Sequence, residues 1–171
     1  MIGGFSQGSA MAMILLLSGE LSSMGVDKGR IGGWWGASGW LPFRRQIWEV
    51  ISNSAEAKER RRRVTAFVRE LLDLPAFGDG SESLPDLEGG KYTEGEKIFL
   101  AHGARDVKVR PEWGEQMRAL LSLGGKGSRE GEFGLDYDAQ GKIYEGLGHW
   151  WCEEEVRDLC CWIEGMVGDL P

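Results

Sequence analysis

The sequence has 171 residues, 42% of them hydrophobic and 27% charged, which is typical of one globular domain with a sizeable core. Its formal net charge of −7 argues against a nucleic-acid partner, because binding to phosphates depends on a basic surface. The three cysteines form neither a disulfide framework nor a C-x-x-C pair, and there are only two histidines. We therefore expect no metal, no other cofactor and a reducing, cytoplasmic location.

The first predicted element is a sharp turn from a strand into a helix. Residues 4–8, GFSQG, match G-x-S-x-G, the motif that presents a nucleophilic serine, here Ser6, in α/β-hydrolases. Residues 9–18 are small or apolar on every face, which predicts a helix that is buried all round. The apolar run within it, residues 10–17, is too short to span a bilayer, so we expect no membrane span.

The middle of the chain contains a buried strand and a charged helix. Residues 30–41, RIGGWWGASGWL, predict a strand that runs into a loop. Residues 54–74 predict an amphipathic helix, because Val64, Phe67, Val68 and Leu71 recur at i, i+3, i+4 and i+7. We assign residues 44–96 to a helical and loop insertion within a single domain, 1–171.

Four consecutive arginines, residues 60–63, lie within this helix. They could form a patch that binds nucleic acid or a membrane. In so acidic a chain, the favoured interpretation is a solvated helix face, partly neutralised by Glu56, Glu59 and Glu70. Residues 75–96 are rich in Gly, Ser, Asp, Glu and Pro, which is typical of a loop.

The last third of the chain continues the alternation of strands and helices. Residues 97–101 and 142–144 predict strands, and residues 111–123 predict a helix with Trp113 on its apolar face. In the C-terminal helix the apolar stripe runs through Val156, Leu159, Cys160, Ile163 and Val167. This order predicts an α/β fold, in which a mostly parallel sheet is flanked by helices.

Three residue types occur in the order that an α/β-hydrolase requires. A serine nucleophile needs a histidine base, and the histidine needs an acid that fixes its tautomer. Ser6 is followed by Asp106, just after one predicted strand, and then by His149, just after another. Each of them alone also has a structural interpretation: a serine in a glycine turn, a surface aspartate and a core histidine. Their order and their positions at strand ends favour a Ser-Asp-His triad.

Four blocks carry a family resemblance: GFSQGSAMA, SGWLP, FLAHGARDVKVRPEWGEQM and YEGLGHWWCEEE. Together they resemble the phospholipase/carboxylesterase family of α/β-hydrolases, which includes acyl-protein thioesterases and lysophospholipases. The resemblance implies that Ser6 is the nucleophile, Asp106 the acid and His149 the base. It also implies that Trp40 and Leu41 flank the acyl site.

The resemblance also bears on the remaining residues of the site. It assigns His102 to a structural motif, and the backbone N–H of Gln7 is expected in the oxyanion hole. The implied activity is hydrolysis of a carboxylic ester or thioester, in a lysophospholipid, an acylated protein or a small molecule.

The resemblance leaves the region before Ser6 without a counterpart. In this family several strands and a His-Gly loop precede the nucleophile, so we expect an N-terminally truncated α/β-hydrolase, its C-terminal portion. Loss of one oxyanion donor costs about 10²–10³ in turnover. The alternative is therefore a catalytically incompetent fragment that acts, if at all, by association. An unpaired sheet edge would favour self-association.

Overall fold

A computed structural model describes residues 1–21, 31–53, 56–76, 97–122 and 134–168. Within these residues, four strands form one parallel sheet in the order β1 (Ile2–Phe5), β2 (Gly33–Ala37), β3 (Lys97–Gly103) and β4 (Asp138–Tyr144). The helices are α1 (Gln7–Ser18), α2 (Arg44–Ser52), α3 (Ala57–Leu71), α4 (Pro111–Leu121) and α5 (Glu153–Gly168). No helix in these ranges is long and apolar enough to cross a membrane.

The helices cover both faces of the sheet. Side chains of successive residues in a strand pack against the helices on opposite faces. Trp34 of β2 packs in the larger core with apolar side chains of α1 to α4, whereas Trp35 packs in the smaller core beneath α5. This division follows from the strand geometry, because successive side chains point to opposite faces. The predicted α/β fold is therefore confirmed, with a parallel sheet between two helical layers.

The loops that carry the candidate catalytic residues all lie at one edge of the parallel sheet. Parallel strands place all their carboxyl ends together, and ligand sites in open α/β sheets form at that edge. The segments that leave β1, β2, β3 and β4 there begin at Ser6, Ser38, Ala104 and Glu145. Ser6, Asp106 and His149 thus belong to three different loops on one side of the molecule.

The predicted elements are mostly present, with some changes of length. Helix α1 has eight buried residues, but Met11 is 66% exposed, so the helix is not buried on every face as predicted. Strand β4 is longer than the predicted 142–144 and begins at Asp138. In α4, Met117, Leu120 and Leu121 are buried, but Trp113 is 41% exposed. The predicted loop 75–96 lies outside the described residues, apart from 75 and 76.

The face of α5 that packs on the sheet differs from the predicted one. Val156 is 45% exposed and Cys160 is also exposed, so the predicted stripe is wrong at these positions. Leu159, which the stripe predicted, packs against the smaller core together with Trp162, and Glu155 is only 1% exposed. The apolar pattern failed here because the buried face begins with a glutamate, which a hydrophobic stripe excludes.

Two of the four arginines of α3 are not solvated, which corrects the sequence-based interpretation. Arg60 is 8% exposed and its Nε donates to the carbonyl oxygen of Gly134 at 2.8 Å. Arg61 lies over the Tyr137 ring, 4.1 Å from its centroid, and donates to the backbone carbonyls of the same segment. These arginines attach α3 to the segment that leads into β4.

The other two arginines behave as the sequence predicts. Arg62 and Arg63 each pair with Glu59 at 2.8 Å on the surface of α3. The hydrogen bonds from these guanidinium groups lower the pKa of Glu59 to about 2. The arginine run is therefore divided between two structural anchors and two neutralised surface charges, which leaves no continuous basic patch among these four residues.

Candidate active site

Ser6 lies at the end of β1, in a backbone conformation that is rare for a residue with a side chain. Its φ is 55° and its ψ is −117°, and its N–H donates to the carbonyl oxygen of Ala37 at 2.8 Å. Helix α1 starts at the next residue. A positive φ at a non-glycine residue stores strain, and such strain is concentrated at functional turns. The chain therefore folds here as the sharp strand-to-helix turn that G-x-S-x-G predicts.

The first glycine of the motif, Gly4, allows this turn to close, whereas a Cβ at Gly8 would meet open space. A Cβ at Gly4 would lie 2.4 Å from the carbonyl carbon of Gly8, which is closer than two carbons can approach. Glycine at position 4 therefore lets β1 and α1 meet at the turn. Gln7 is the first residue of α1, so its N–H has no acceptor within the helix and lies at the positive end of the helix dipole.

Asp106 is a buried carboxylate with defined partners. It is 4% exposed, and its Oδ1 accepts the N–H groups of Lys108 and Val109 at 2.9 Å each. Its Oδ2 lies 2.8 Å from Nδ1 of His149. Burial works to raise the pKa of Asp106, but the two backbone N–H groups and His149 outweigh it and hold the pKa below its usual value.

His149 lies between Asp106 and the turn that carries Ser6. Its ring contacts that of Phe5, the residue before Ser6, with centroids 4.8 Å apart. Trp151 packs on the same Phe5 ring at 5.2 Å. The structure thus brings the predicted acid and base into contact and places the base against the predicted nucleophile's neighbour. In the described part of the chain the Ser6 hydroxyl has no hydrogen bond, to His149 or to any other group.

The loops that carry the acid and the base are also joined through their backbones. The N–H of Arg105 donates to the carbonyl oxygen of Leu147 at 2.8 Å, and the N–H of Ala104 donates to that of Tyr144 at 2.9 Å. These bonds link the turn before Asp106 to the segment before His149. The distance between the two side chains is therefore fixed by the main chain as well as by their own contact.

His102 is buried beside Asp106. Its Nε2 lies 2.9 Å from the carbonyl oxygen of Val109 and 3.5 Å from Oδ2 of Asp106. A Cβ on Gly114 would lie 2.5 Å from Nδ1 of this ring, so α4 packs directly on it. These contacts hold the loop around Asp106.

The two predicted acyl-site residues differ in their burial. Trp40 is half-buried in the loop after β2, and Leu41 is 4% exposed within the larger core. Ser38, which starts this loop, is fully buried with a φ of 48°. Trp40 is thus the more accessible of the two predicted residues.

Sequence reasoning missed two aromatic residues near His149, which are Phe5 and Trp151. Both looked like ordinary core residues, and only the tertiary contacts reveal that Phe5 packs on the histidine ring and Trp151 on Phe5.

The chain is similar in sequence or fold to several known proteins. The chain is 26% identical over 167 residues to acyl-protein thioesterase 1 of Mycosarcoma maydis, an alignment that covers 97% of this chain and 47% of that protein. Its fold is similar to that of Zea mays acyl-protein thioesterase 2, with a TM-score of 0.52, 19% identity and coverage of 96% and 54%. Arabidopsis thaliana SOBER1 gives a TM-score of 0.51 at 22% identity, with coverage of 97% and 52%. No family model matches the sequence.

The chain spans about half the length of the relatives it matches. Its parallel sheet and helices are consistent with a C-terminal portion of an α/β-hydrolase. The sequence relationship and the shared fold support the resemblance to the phospholipase/carboxylesterase family that the four motif blocks indicate.

Proposed function

We propose that this chain, a relative of the acyl-protein thioesterases with an α/β-hydrolase fold, carries the catalytic triad of a serine hydrolase that cleaves carboxylic esters or thioesters. One observation carries the proposal: Asp106 Oδ2 lies 2.8 Å from His149 Nδ1, and His149 packs on the residue before Ser6. A buried acid, an oriented imidazole and a strained serine turn at one sheet edge are the parts that this chemistry needs.

In the proposed reaction the hydroxyl of Ser6 attacks the acyl carbonyl carbon. Nε2 of His149 takes the hydroxyl proton and then passes it to the leaving alcohol or thiol. Asp106 stays ionised, accepts the Nδ1–H hydrogen bond and stabilises the imidazolium. Water then enters with His149 as base, attacks the acyl-enzyme, and releases the carboxylic acid and free Ser6.

Two features support the roles of Asp106 and Gln7. The pKa of Asp106 is held below its usual value, so the carboxylate is available as an acceptor throughout the neutral range. The N–H of Gln7 is free of helical bonding and suits the negative charge that develops on the carbonyl oxygen. The hydroxyl of Ser6 is not bonded to His149 here, and such contacts commonly tighten only when substrate binds.

The relatives suggest the substrate class. Two of them are named as acyl-protein thioesterases, so we propose S-acylated protein as the substrate, with small esters as the alternative. Trp40 and Leu41 would flank the acyl chain, since they follow the β2 strand end beside Ser6. Thioester and oxygen-ester substrates with the same acyl chain, compared by kcat/KM, would separate these two classes.

A fluorophosphonate probe tests the catalytic proposal directly. We expect covalent labelling of the purified, folded chain, and loss of labelling in Ser6→Ala. Asp106→Asn should slow labelling by about 10³–10⁴, because the histidine then takes the wrong tautomer. Circular dichroism provides the check that each variant is folded. A folded chain without Ser6-dependent labelling would contradict the proposal and favour the incompetent fragment.

Two further proposals concern the state of the chain in the cell. We propose a cytoplasmic protein, on the composition given above. The outer edge of β1 has no strand partner among the described residues, which gives a reason to expect self-association through this edge. Sedimentation across a range of concentrations tests this, and a monomer at all of them would contradict it.

A further inference from the structure

Two large apolar side chains are strongly exposed immediately after the candidate acid and base. Val107, which follows Asp106, is 91% exposed, and Trp150, which follows His149, is 71% exposed. They are the two most exposed large apolar residues in the described part of the chain. One such residue on a surface is ordinary, but two beside an acid–base pair call for an explanation, because clustered apolar surface often marks a binding site.

Val107 is held at the tip of a turn that the candidate acid itself closes. Oδ1 of Asp106 accepts the N–H groups of Lys108 and Val109, both at 2.9 Å. Val109 is buried, whereas Val107 and Lys108 are exposed. The bonds that fix the acid therefore also fix an apolar side chain and a cation at the surface beside it.

Trp150 is held in a second turn, within the loop between β4 and α5. Its N–H donates to the carbonyl oxygen of Gly148 at 2.9 Å. The next residue, Trp151, packs inwards on Phe5, with ring centroids 5.2 Å apart. The inward tryptophan fixes the loop to the smaller core, and Trp150 remains on the surface next to His149.

The two exposed side chains lie on adjacent loops. The N–H of Arg105 donates to the carbonyl oxygen of Leu147 at 2.8 Å, and Asp106 contacts His149 at 2.8 Å. The residues that follow the acid and the base are therefore held side by side at the same edge of the sheet. The name rim is used below for four exposed residues of these loops: Arg105, Val107, Lys108 and Trp150.

The loop that carries the acid, residues 104–110, is basic at its surface. Its one acidic residue, Asp106, is buried, and its three cations are exposed: Arg105, Lys108 and Arg110. None of these cations has an ion pair with a described residue. The loop of the histidine adds one exposed acid, Glu145, so the two loops together remain positive. In a chain with a net charge of −7, this local excess favours an acidic partner segment, because complementary charges steer encounter and fix register.

The proposed reaction places one particular part of the substrate against these loops. Nε2 of His149 passes a proton to the leaving group, so the leaving alcohol or thiol must come within hydrogen-bond reach of that atom. In an S-acylated protein the leaving thiol is a cysteine side chain, and the polypeptide around it extends over the surface beside His149. A small ester has no such extension, so contacts at the rim would distinguish the two substrate classes.

We propose that the rim binds the polypeptide part of an S-acylated substrate. Trp150 and Val107 contact apolar side chains of that polypeptide, and Arg105 and Lys108 pair with acidic side chains that flank the acylated cysteine. The inference rests on the proposed function, because it identifies the leaving group of the same reaction. Tryptophan and arginine are among the side chains that most often dominate the energy of protein–protein interfaces.

An anionic membrane is the other partner that combines apolar and acidic groups. A bilayer extends far beyond the rim and would face the whole molecule, whose net charge of −7 opposes its approach. A polypeptide segment meets only the positive rim. The charge distribution therefore favours the polypeptide.

Kinetics with three thioesters of the same acyl chain tests the preference. The first is a peptide with glutamate and leucine around the acylated cysteine, the second has lysine in place of glutamate, and the third is S-acyl N-acetylcysteamine, which has no peptide. We expect the ratio of kcat/KM for the acidic peptide to that for the small thioester to fall about tenfold in Trp150→Ala and in the double variant Arg105→Glu/Lys108→Glu. Loss of an interface hot spot typically costs a factor of this size or more, and it should appear mainly in KM.

Two substitutions far from these loops in the sequence are the controls. Trp48→Ala removes another exposed tryptophan, 48% exposed on α2, and Lys58→Glu reverses an exposed charge on α3. Both should leave the ratio unchanged, and circular dichroism checks that every variant is folded. A ratio that falls equally in the rim variants and in these controls would contradict the inference.

A binding measurement separates this inference from the proposed function. Fluorescence anisotropy of the labelled acidic peptide, with its cysteine free, can be followed with Ser6→Ala and needs no turnover. We expect the Kd to rise about tenfold when Trp150→Ala is added, and the lysine peptide to bind more weakly than the acidic one. If the wild-type chain hydrolyses none of the thioesters, the proposed function fails while this measurement still reports on the rim. Equal affinity for the two peptides, or a Kd that Trp150→Ala leaves unchanged, would overturn the inference.

Vesicles of phosphatidylcholine and phosphatidylserine test the membrane as the partner. We expect no binding to these vesicles that depends on Trp150, as measured by co-sedimentation of wild type and Trp150→Ala. Vesicle binding that Trp150→Ala abolishes, together with no discrimination between the two peptides, would assign the rim to a membrane surface and overturn the inference.

Discussion

The buried carboxyl of Glu155 makes a quantitative prediction about how stability depends on pH. Its pKa is raised from 4.5 to about 7 in the folded protein, with burial as the main cause. Each unit of pKa shift corresponds to about 1.4 kcal/mol. The full shift therefore amounts to about 3 kcal/mol of folding free energy, an upper value because the unfolded chain is not fully solvated.

Whether stability rises or falls with pH depends on which state, folded or unfolded, binds the Glu155 proton more tightly. Between pH 4.5 and about 7 the folded protein keeps the Glu155 proton while the unfolded chain loses it. The contribution of Glu155 to stability is therefore fully present below pH 4.5 and is lost as the pH rises through about 7. Glu155→Gln cannot ionise, so it should gain stability relative to wild type as the pH increases.

Urea denaturation of wild type and Glu155→Gln at several pH values from about 4.5 to 8 measures this effect. We expect the stability difference between the two proteins to change by about 3 kcal/mol over this range in favour of the variant. Groups such as Asp106, whose pKa is lowered, contribute equally to both proteins and cancel. Glu153→Gln, at an exposed position, should show no such change. A difference between wild type and Glu155→Gln that is flat with pH would refute the reasoning.

Two further substitutions test the turn and the helix α3. Gly4→Ala should destabilise the fold by about 2 kcal/mol or more and abolish probe labelling, because the added Cβ would overlap the backbone of Gly8 at 2.4 Å; a Tm equal to that of wild type would contradict the close approach. Arg60→Met should cost about 1–3 kcal/mol in urea denaturation, since it leaves the buried carbonyl of Gly134 without this donor. The neighbouring Arg63→Met should cost less than about 0.5 kcal/mol, because its pair with Glu59 is solvent-exposed; equal losses in both would show that Arg60 is not an anchor.

The elements that the sequence predicted well are those with strong local patterns. The helix after Ser6 is apolar on every face, and the strands at β2 and β3 are short apolar runs, so their burial follows from composition. Strand β4 was predicted short because its exposed, polar first half carries no apolar alternation. Its pairing with β3 extends it to Asp138. Backbone hydrogen bonds to β3 determine the length of β4, and the pattern of side chains in the sequence does not indicate such bonds.

Two of the errors share one cause, which is burial of charged residues. Arg60 and Glu155 lie inside the protein, where a hydrophobic pattern predicts neither. The arginine is compensated by a backbone carbonyl that is 74 residues away in the sequence. Among the described residues neither carboxyl oxygen of the glutamate has a hydrogen-bond partner, and burial raises its pKa to about 7. Partners such as the Gly134 carbonyl are specific and often distant, so periodicity cannot predict them.

The sequence by itself determined the order of the three candidate catalytic residues, the sharp turn at Ser6 and the alternation that makes a parallel sheet. These are local properties: a glycine before the serine that permits a close turn, and apolar runs of the right length. Only the tertiary structure decided that Asp106 and His149 meet at 2.8 Å, that Phe5 packs on the histidine ring, and that Glu155 is buried. These contacts join segments brought together by the sheet, and the free energy of each depends on neighbours that no single stretch of sequence contains.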